Sequence, residues 1–564
     1  MNRIPLTATL LSASAAALLL LLVSPLPAHA QLFSAGEVDF TLTESLYVDW
    51  HRNQAYDNGA GTYDYFDLKS RLNLGADAPW LQVGLRLDAA GFLGPDSGAS
   101  ADAFDEDFDH DVTVEKIFLR SRLWKLTLEA GDVYGCLGKG IALCIKKVDE
   151  LSTDTTLRGL KVSLQQPMVG VTLLGGLANV VNVGDKVEEF LPDPNDLLAG
   201  AEVRVTPVSS LRLSAHGSFL QDARDLSVPD VPALIHAPQE QEPVSYRRSS
   251  LAIVGPGLAV NNLPILGSLF AEYDAMLETF EPLADEETPE SFVGQAVYGS
   301  ITTGVDIVHL LLEAKWYDSR LPESESQTNF MGTKVTGPSG VSDFVYYGVL
   351  PPIDDEHLFV RNDRPYDVAG GRLRVDVEVS PLSGVAYASY AHFVDATTGD
   401  EAMGDYFVRH GIAGWEQRID SLSISGNLAG GYRQEDFHFT RENMWHLGAD
   451  VQFPLIGSHS LQLQGRMENY DRPNEGTEYI IAQASTTYAF APWLALVFNY
   501  EHSDQPGPNE KGDFYSGEAV FRFLSGSYFK LFGGSSRGGL KCAGGMCRTF
   551  PPFEGVKGEL TLRF

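Results

Sequence analysis

Residues able to do chemistry gather at a few places along this 564-residue chain. The densest is Gly131-Asp132-Val133-Tyr134-Gly135-Cys136-Leu137-Gly138-Lys139-Gly140-Ile141-Ala142-Leu143-Cys144, followed by Lys146, Lys147, Asp149, Glu150, Asp154 and Arg158. Glycines 135, 138 and 140 let the backbone turn tightly there. Of its eight charged side chains, seven of both signs are candidates to line a passage: Asp132, Lys139, Lys146, Lys147, Asp149, Glu150 and Arg158. Opposed charges on a tight turn either pair with one another and fix the loop, or present a dipolar field to a passing molecule.

Four cysteines form two close pairs, Cys136/Cys144 and Cys542/Cys547. In an oxidising compartment they read as disulfides, and bonding within each pair closes the shortest loops at least entropic cost. The C-x4-C spacing of the second pair has no neighbouring His or second Cys pair to complete a zinc site. Asp102, Asp105, Glu106, Asp107, Asp109 and Asp111 crowd one loop, and Glu281, Asp285, Glu286, Glu287 and Glu290 another. Such carboxylates either hold divalent cations or are simply solvated; the first group lacks the glycine of a helix-loop-helix calcium loop. His438 and His446 lie eight positions apart across an expected hairpin. Gly138-Lys139 is no phosphate loop, because Val133 stands where glycine is required and no Ser or Thr follows. Gly534-Ser535-Ser536-Arg537-Gly538 spells a nucleophile-elbow motif, but no helix is expected after it. No Ser/His or Asp/His constellation assembles from spacing, so neither an enzyme nor a bound cofactor or metal is expected.

The elements that must position these groups are strands. Residues 1–30 read as a signal peptide, with Arg3, an apolar stretch from Leu10 to Val23, and Ala28-His29-Ala30 before a mature start at Gln31. Beyond it no apolar run approaches the roughly 20 residues of a spanning helix. The longest, Leu251 to Leu269, is broken by Pro256, Asn261, Asn262 and Pro264. Alternation of period two recurs instead, as in Arg372-Leu373-Arg374-Val375-Asp376-Val377-Glu378-Val379, placing charges on one face and apolar residues on the other. Long polar connections (50–62, 93–110, 132–154, 179–195, 221–245, 281–293, 320–366, 395–405, 537–554) interleave with short turns such as Ala78-Pro79-Trp80, Leu123-Trp124-Lys125 and Ala491-Pro492-Trp493, given a weaker strand near Tyr246 to Gly255. Such parity marks a transmembrane antiparallel β-barrel of the bacterial outer membrane, all-β, with about 24 strands (range 20–26) across residues 31–564. Trp80, Trp124, Trp493, Tyr47 and Tyr470 are expected in its interfacial girdles. Strand one begins within about seven residues of Gln31, which leaves no room for an N-terminal plug. Residues 221–265 and 320–366 are the segments long enough to enter the lumen.

The 131–159 segment resembles an uncharacterised family of large bacterial outer-membrane proteins. In that family G-D-x-Y…G-(R/K)-G-(I/L)-x-L leads into a D-x-T-L-R-G strand, matched here by Asp154-Thr155-Thr156-Leu157-Arg158-Gly159. Lys139 stands where the pattern more often has Arg, and the cysteines are peculiar to this chain. The resemblance implies a fold and a compartment, and no activity.

Val556, Gly558, Leu560, Leu562 and Phe564 end the chain like the terminal strand read by the barrel-assembly machinery. Lipid, lipopolysaccharide and small solutes are the other expected partners. Nucleic acid is not an expected partner, because a net charge of −34 repels phosphate backbones. Inside a barrel, the seven charges would form a third-loop constriction. Two readings follow: a channel for small hydrophilic solutes that favours cations, or a surface-interaction or scaffold barrel whose loops fill the lumen.

Overall fold

In a bilayer every backbone N–H and C=O must find a protein partner, so strands can cross only as a closed ring. The structure, a computed structural model, describes the chain except residues 1–32, 56–61, 94–110, 183–192, 223–245, 264–266, 283–289, 319–331, 337–341, 350, 352–354, 357–358, 361–367, 381–382, 397–406, 438–439, 507–510, 525, 544–545 and 551. Among the described residues, twenty-four antiparallel strands close into one barrel, from Val38–Ala55 to Phe553–Arg563. The seam pairs residues 43–51 with 555–563. Phe564 and Leu42 then exchange both backbone hydrogen bonds, at 2.8 and 3.0 Å. A twenty-fifth strand, Phe33–Ala35, folds back on residues 38–40 beside this seam.

Alternation sorts the side chains as the pattern requires. Leu160, Val254, Val293, Trp445 and Phe498 point outward and are 58–64% exposed, which only a sheath of lipid accommodates around a whole barrel. Lys161, next to Leu160, faces the other way, and Arg374, Glu468 and Glu518 lie on the inner faces of other strands. The chain is therefore an outer-membrane β-barrel. Trp80, Trp124 and Trp493 sit exposed at the short-turn end, where a girdle belongs. Tyr47 and Tyr470 depart from that expectation. Tyr47 stands in register between Lys69 and Glu559 on the inner face, and buried Tyr470 stacks on Tyr479 inside the lumen.

Two further expectations need correcting. Tyr246–Leu263 is an 18-residue barrel strand, so 221–265 is no free lumenal segment; its apolar character on both faces had hidden the period of two. Long connections also stop alternating with short ones near the C terminus, where residues 473–476 close a tight hairpin at the long-loop end. The acidic loop at 102–111 lies almost wholly outside the described residues.

Leu160→Arg places a charge on the lipid face at mid-strand. It is expected to lower unfolding stability by about 2–4 kcal/mol, read as the denaturant midpoint in lipid vesicles.

Candidate functional site

The third connection, residues 134–155, joins the strands Leu126–Val133 and Thr156–Gln165. Its first part is a small hairpin, Gly135–Leu137 against Leu143–Ile145, in which Cys136 faces Cys144 and forms a disulfide with it. The reversal needs Gly138 and Gly140 at φ +55° and +100°, conformations costly for any residue with a Cβ. Four apolar side chains of this turn, Leu137, Ile141, Leu143 and Ile145, are at most 1% exposed.

What buries them is the inner wall. Leu174, Leu198, Leu220, Leu251, Ile253 and Met276 point inward and form one core with the loop. The segment is thus folded into the bore, held by burial worth about 1.5–3 kcal/mol for each large aliphatic side chain. Two other connections meet it there. Cys144 N–H donates to the Tyr347 carbonyl (2.6 Å) and Val349 N–H to the Gly140 carbonyl (2.8 Å). The Tyr347 hydroxyl reaches across to Asp196 (2.7 Å). From the last connection, Arg548 donates to the Leu151 carbonyl at 2.8 Å, and Phe550 packs on the cluster of Cys144, Val148, Leu151 and Val349. Of 320–366, a segment long enough to enter the lumen, residues 345–349 pack on the inward loop.

Polar clamps fix both sides of the loop. On one side the Tyr134 hydroxyl donates to Asp154 (2.5 Å). Arg86 donates to Asp154 (3.0 Å) and to Asp88, and Lys116 ion-pairs with Asp154. Burial alone would raise the Asp154 carboxyl, but the Lys116 ammonium, the Tyr134 hydroxyl and the Arg86 guanidinium outweigh it and hold it below its usual value. Tyr134 itself is pushed well up, by burial first and then by the Asp154 charge. On the other side the Lys139 N–H donates to both Glu272 oxygens (3.1 and 2.9 Å). Its ammonium lies 4.6 Å from the Phe270 ring centre, and Ser218 donates to the Ala142 carbonyl.

The seven charges proposed for a constriction do not form one ring. Asp132 and Arg158 oppose each other in register on the outer side of the wall, two residues from lipid-facing Leu160, so neither lines the bore. Asp132 is buried there, accepting from the Ile117 N–H, Thr156 and Asn179. Lys139 is spent on the inner wall. Lys147 and Asp149 pair at 2.6 Å on an exposed surface, while half-buried Lys146 is lowered by desolvation against the pull of Glu150. Cys542 and Cys547 stand opposite each other in the hairpin Gly539–Ala543/Met546–Phe550.

Sequence reasoning passed over the wall that seats the loop. The signal was present, for the unusually long apolar run near Leu251 marks a strand covered on both faces. It also passed over His410, whose Nε2 lies 2.8 Å from that of His446, both buried; His438 lies outside the described residues. At Ser535 a strand leads in, but the hairpin at Gly539–Ala543 follows where an elbow needs a helix.

No family model matches the chain, and no curated protein matches it either. Among solved structures it is similar to the translocation pore of the P pilus usher PapC, at 9% identity over 92% of this chain and 98% of that one, with a TM-score of 0.40. Similarity to the siderophore receptor PirA from Pseudomonas aeruginosa is 8% identity over 93% and 80%, TM-score 0.44. For OccK3 from the same organism it is 9% over 72% and 92%, TM-score 0.37.

Because the folded Asp154 carboxyl titrates below its usual 3.8, its anchoring is complete above that pH and is lost as pH falls through the depressed value. Asp154→Asn is expected to speed amide exchange across 134–155 already at neutral pH and to abolish the acid-driven rise seen in the parent, measured by hydrogen-exchange mass spectrometry corrected for intrinsic rates.

Proposed function

We propose that this barrel is a channel for small hydrophilic solutes, narrowed by the inward loops. The observation that carries the reading is the unequal covering of the inner wall. Where the loops sit, polar inner residues such as Glu272 and Glu313 are buried. Elsewhere on the inner wall Gln464 and Gln483 stay exposed, and Glu416, Lys530 and Arg466 keep a third or more of their side-chain surface open, at 46%, 38% and 34%. A polar, wetted strip beside a packed plug is what a narrowed aqueous path requires.

Charge along that strip is largely paired: Arg374 with Asp376 and Glu416, Arg466 with Glu468, Lys530 with Glu518, and Arg537 with Glu501. The acid excess of the chain favours cations, and this pairing keeps the preference modest. We further infer export through a signal peptide cleaved before Gln31 and assembly through Phe564, and a conduit rather than an enzyme. N-terminal sequencing of protein from outer membranes tests the first of these.

One observation favours the second reading, a surface-interaction or scaffold barrel: three connections interlock across one mouth through Tyr347, Val349 and Arg548. Planar-bilayer recording separates the two. The channel reading expects a low conductance with modest cation selectivity. Arg548→Ala, which frees the last connection from Leu151, is expected to lengthen openings and raise mean conductance several-fold. A barrel that shows heat-modifiable mobility yet never conducts, in parent or variant, makes the scaffold reading the better one.

A further inference from the structure

We propose that His216, Glu272 and Asp274 form a site for one divalent transition-metal ion of the zinc type, inside the bore beneath the tip of the third connection. The three residues come from two strands separated by a third. His216 is on Leu211–Gln221, Glu272 and Asp274 are on Gly267–Pro282, and Tyr246–Leu263 lies between. Glu272 and Asp274 are two residues apart, so both project inward. One ligand atom from each residue lies within 4.8 Å of the other two, and His216 Nε2 is 2.8 Å from Asp274 Oδ1.

Reaching across the middle strand depends on missing side chains. Gly255 stands in register with His216, and a Cβ there would come 2.8 Å from Asp274 Oδ1. Beside it, a Cβ at Gly257 would meet Glu272 Oε2 at 3.8 Å, and one at Gly138, from the loop above, would meet the same oxygen at 2.5 Å. Glycine at these places leaves the two carboxylates and the imidazole facing a common space.

The electrostatics call for a cation in that space. Exposure is 3% for His216, 2% for Glu272 and 0% for Asp274. Asp274 Oδ2 is buried with no hydrogen-bond partner among the described residues. Glu272 accepts the Lys139 amide, while the Lys139 ammonium is turned to the aromatic rings. Two desolvated carboxylates with an orphaned oxygen are costly as they stand. A metal ion bound by one imidazole nitrogen and two carboxylate oxygens removes that cost and keeps a coordination position open. Tetrahedral ligands on bonds of about 2.1 Å stand about 3.4 Å apart, so the His216–Asp274 contact opens by well under an ångström. His216 Nε2 gives up its proton to bind, and the neutral ring keeps its proton on Nδ1.

The test uses the full chain, folded in detergent, stripped with chelator and titrated with Co²⁺ alone. One equivalent is expected to bind with the intense visible bands of a four- or five-coordinate nitrogen-and-oxygen site. Ions held by exposed acidic loops stay octahedral and absorb weakly. Asp274→Asn, of nearly the same shape, is expected to weaken that binding about 100-fold or more, beyond the 10–100-fold that losing a supporting contact costs, and His216→Ala to abolish the bands. Heat-modifiable mobility identifies variants that have folded, and Asp274→Asn alone decides if His216→Ala has not. No intense band at saturating Co²⁺ overturns the proposal, and so does a band that survives both substitutions but is lost in His410→Ala.

Discussion

Every other feature of this molecule depends on the backbone ladder being closed. Lipid supplies no hydrogen-bond partners, so the first strand must find the last, and residues 43–51 do so against 555–563. Closure removes the sheet edge and leaves each strand with only its side chains to distribute, one set to lipid and one to the bore. All further structure is a consequence of what the inner set holds.

Over one sector of the circumference the inner set is largely apolar, with a few buried polar groups, and a loop fills the space. Leu137, Ile141, Leu143 and Ile145 supply the loop's side of that core, and Leu174, Leu198, Leu220, Leu251 and Ile253 the wall's. Hydrophobic packing sets where the loop lies, and the polar clamps at Asp154 and Glu272 set its orientation. The Cys136–Cys144 bond holds the hairpin to one shape. The plug is thus an ordinary core between two surfaces, one of which belongs to a membrane wall.

Much of the barrel is legible in the sequence because lipid and water impose a period of two wherever the bore is wet, as in Arg372 to Val379. The same logic made Tyr246–Leu263 hard to see, since a strand between lipid and plug has no polar face to alternate with. Charges were harder still. Asp132 and Lys139 sit seven residues apart in one motif, yet the wall separates them, because Asp132 stands on a strand's outward register and Lys139 on a loop that has turned inside. His216, Glu272 and Asp274 were invisible to spacing for a related reason: sheet register, not sequence distance, brings His216 opposite Gly255 and within reach of Asp274.

The double-sided wall also has a consequence for the chain before it folds. Strands that alternate carry a polar residue at every second position, which interrupts any attempt at self-association. Val169–Asn179, Leu197–Val208 and the stretch from Leu251 lack much of that interruption, because both of their faces end in apolar surroundings. Before folding, these strands are therefore prone to self-association, rich in β-formers and poor in charge. The inner faces of these strands are satisfied only once the loop is in place, so until then they are surfaces that the chain must keep from self-association.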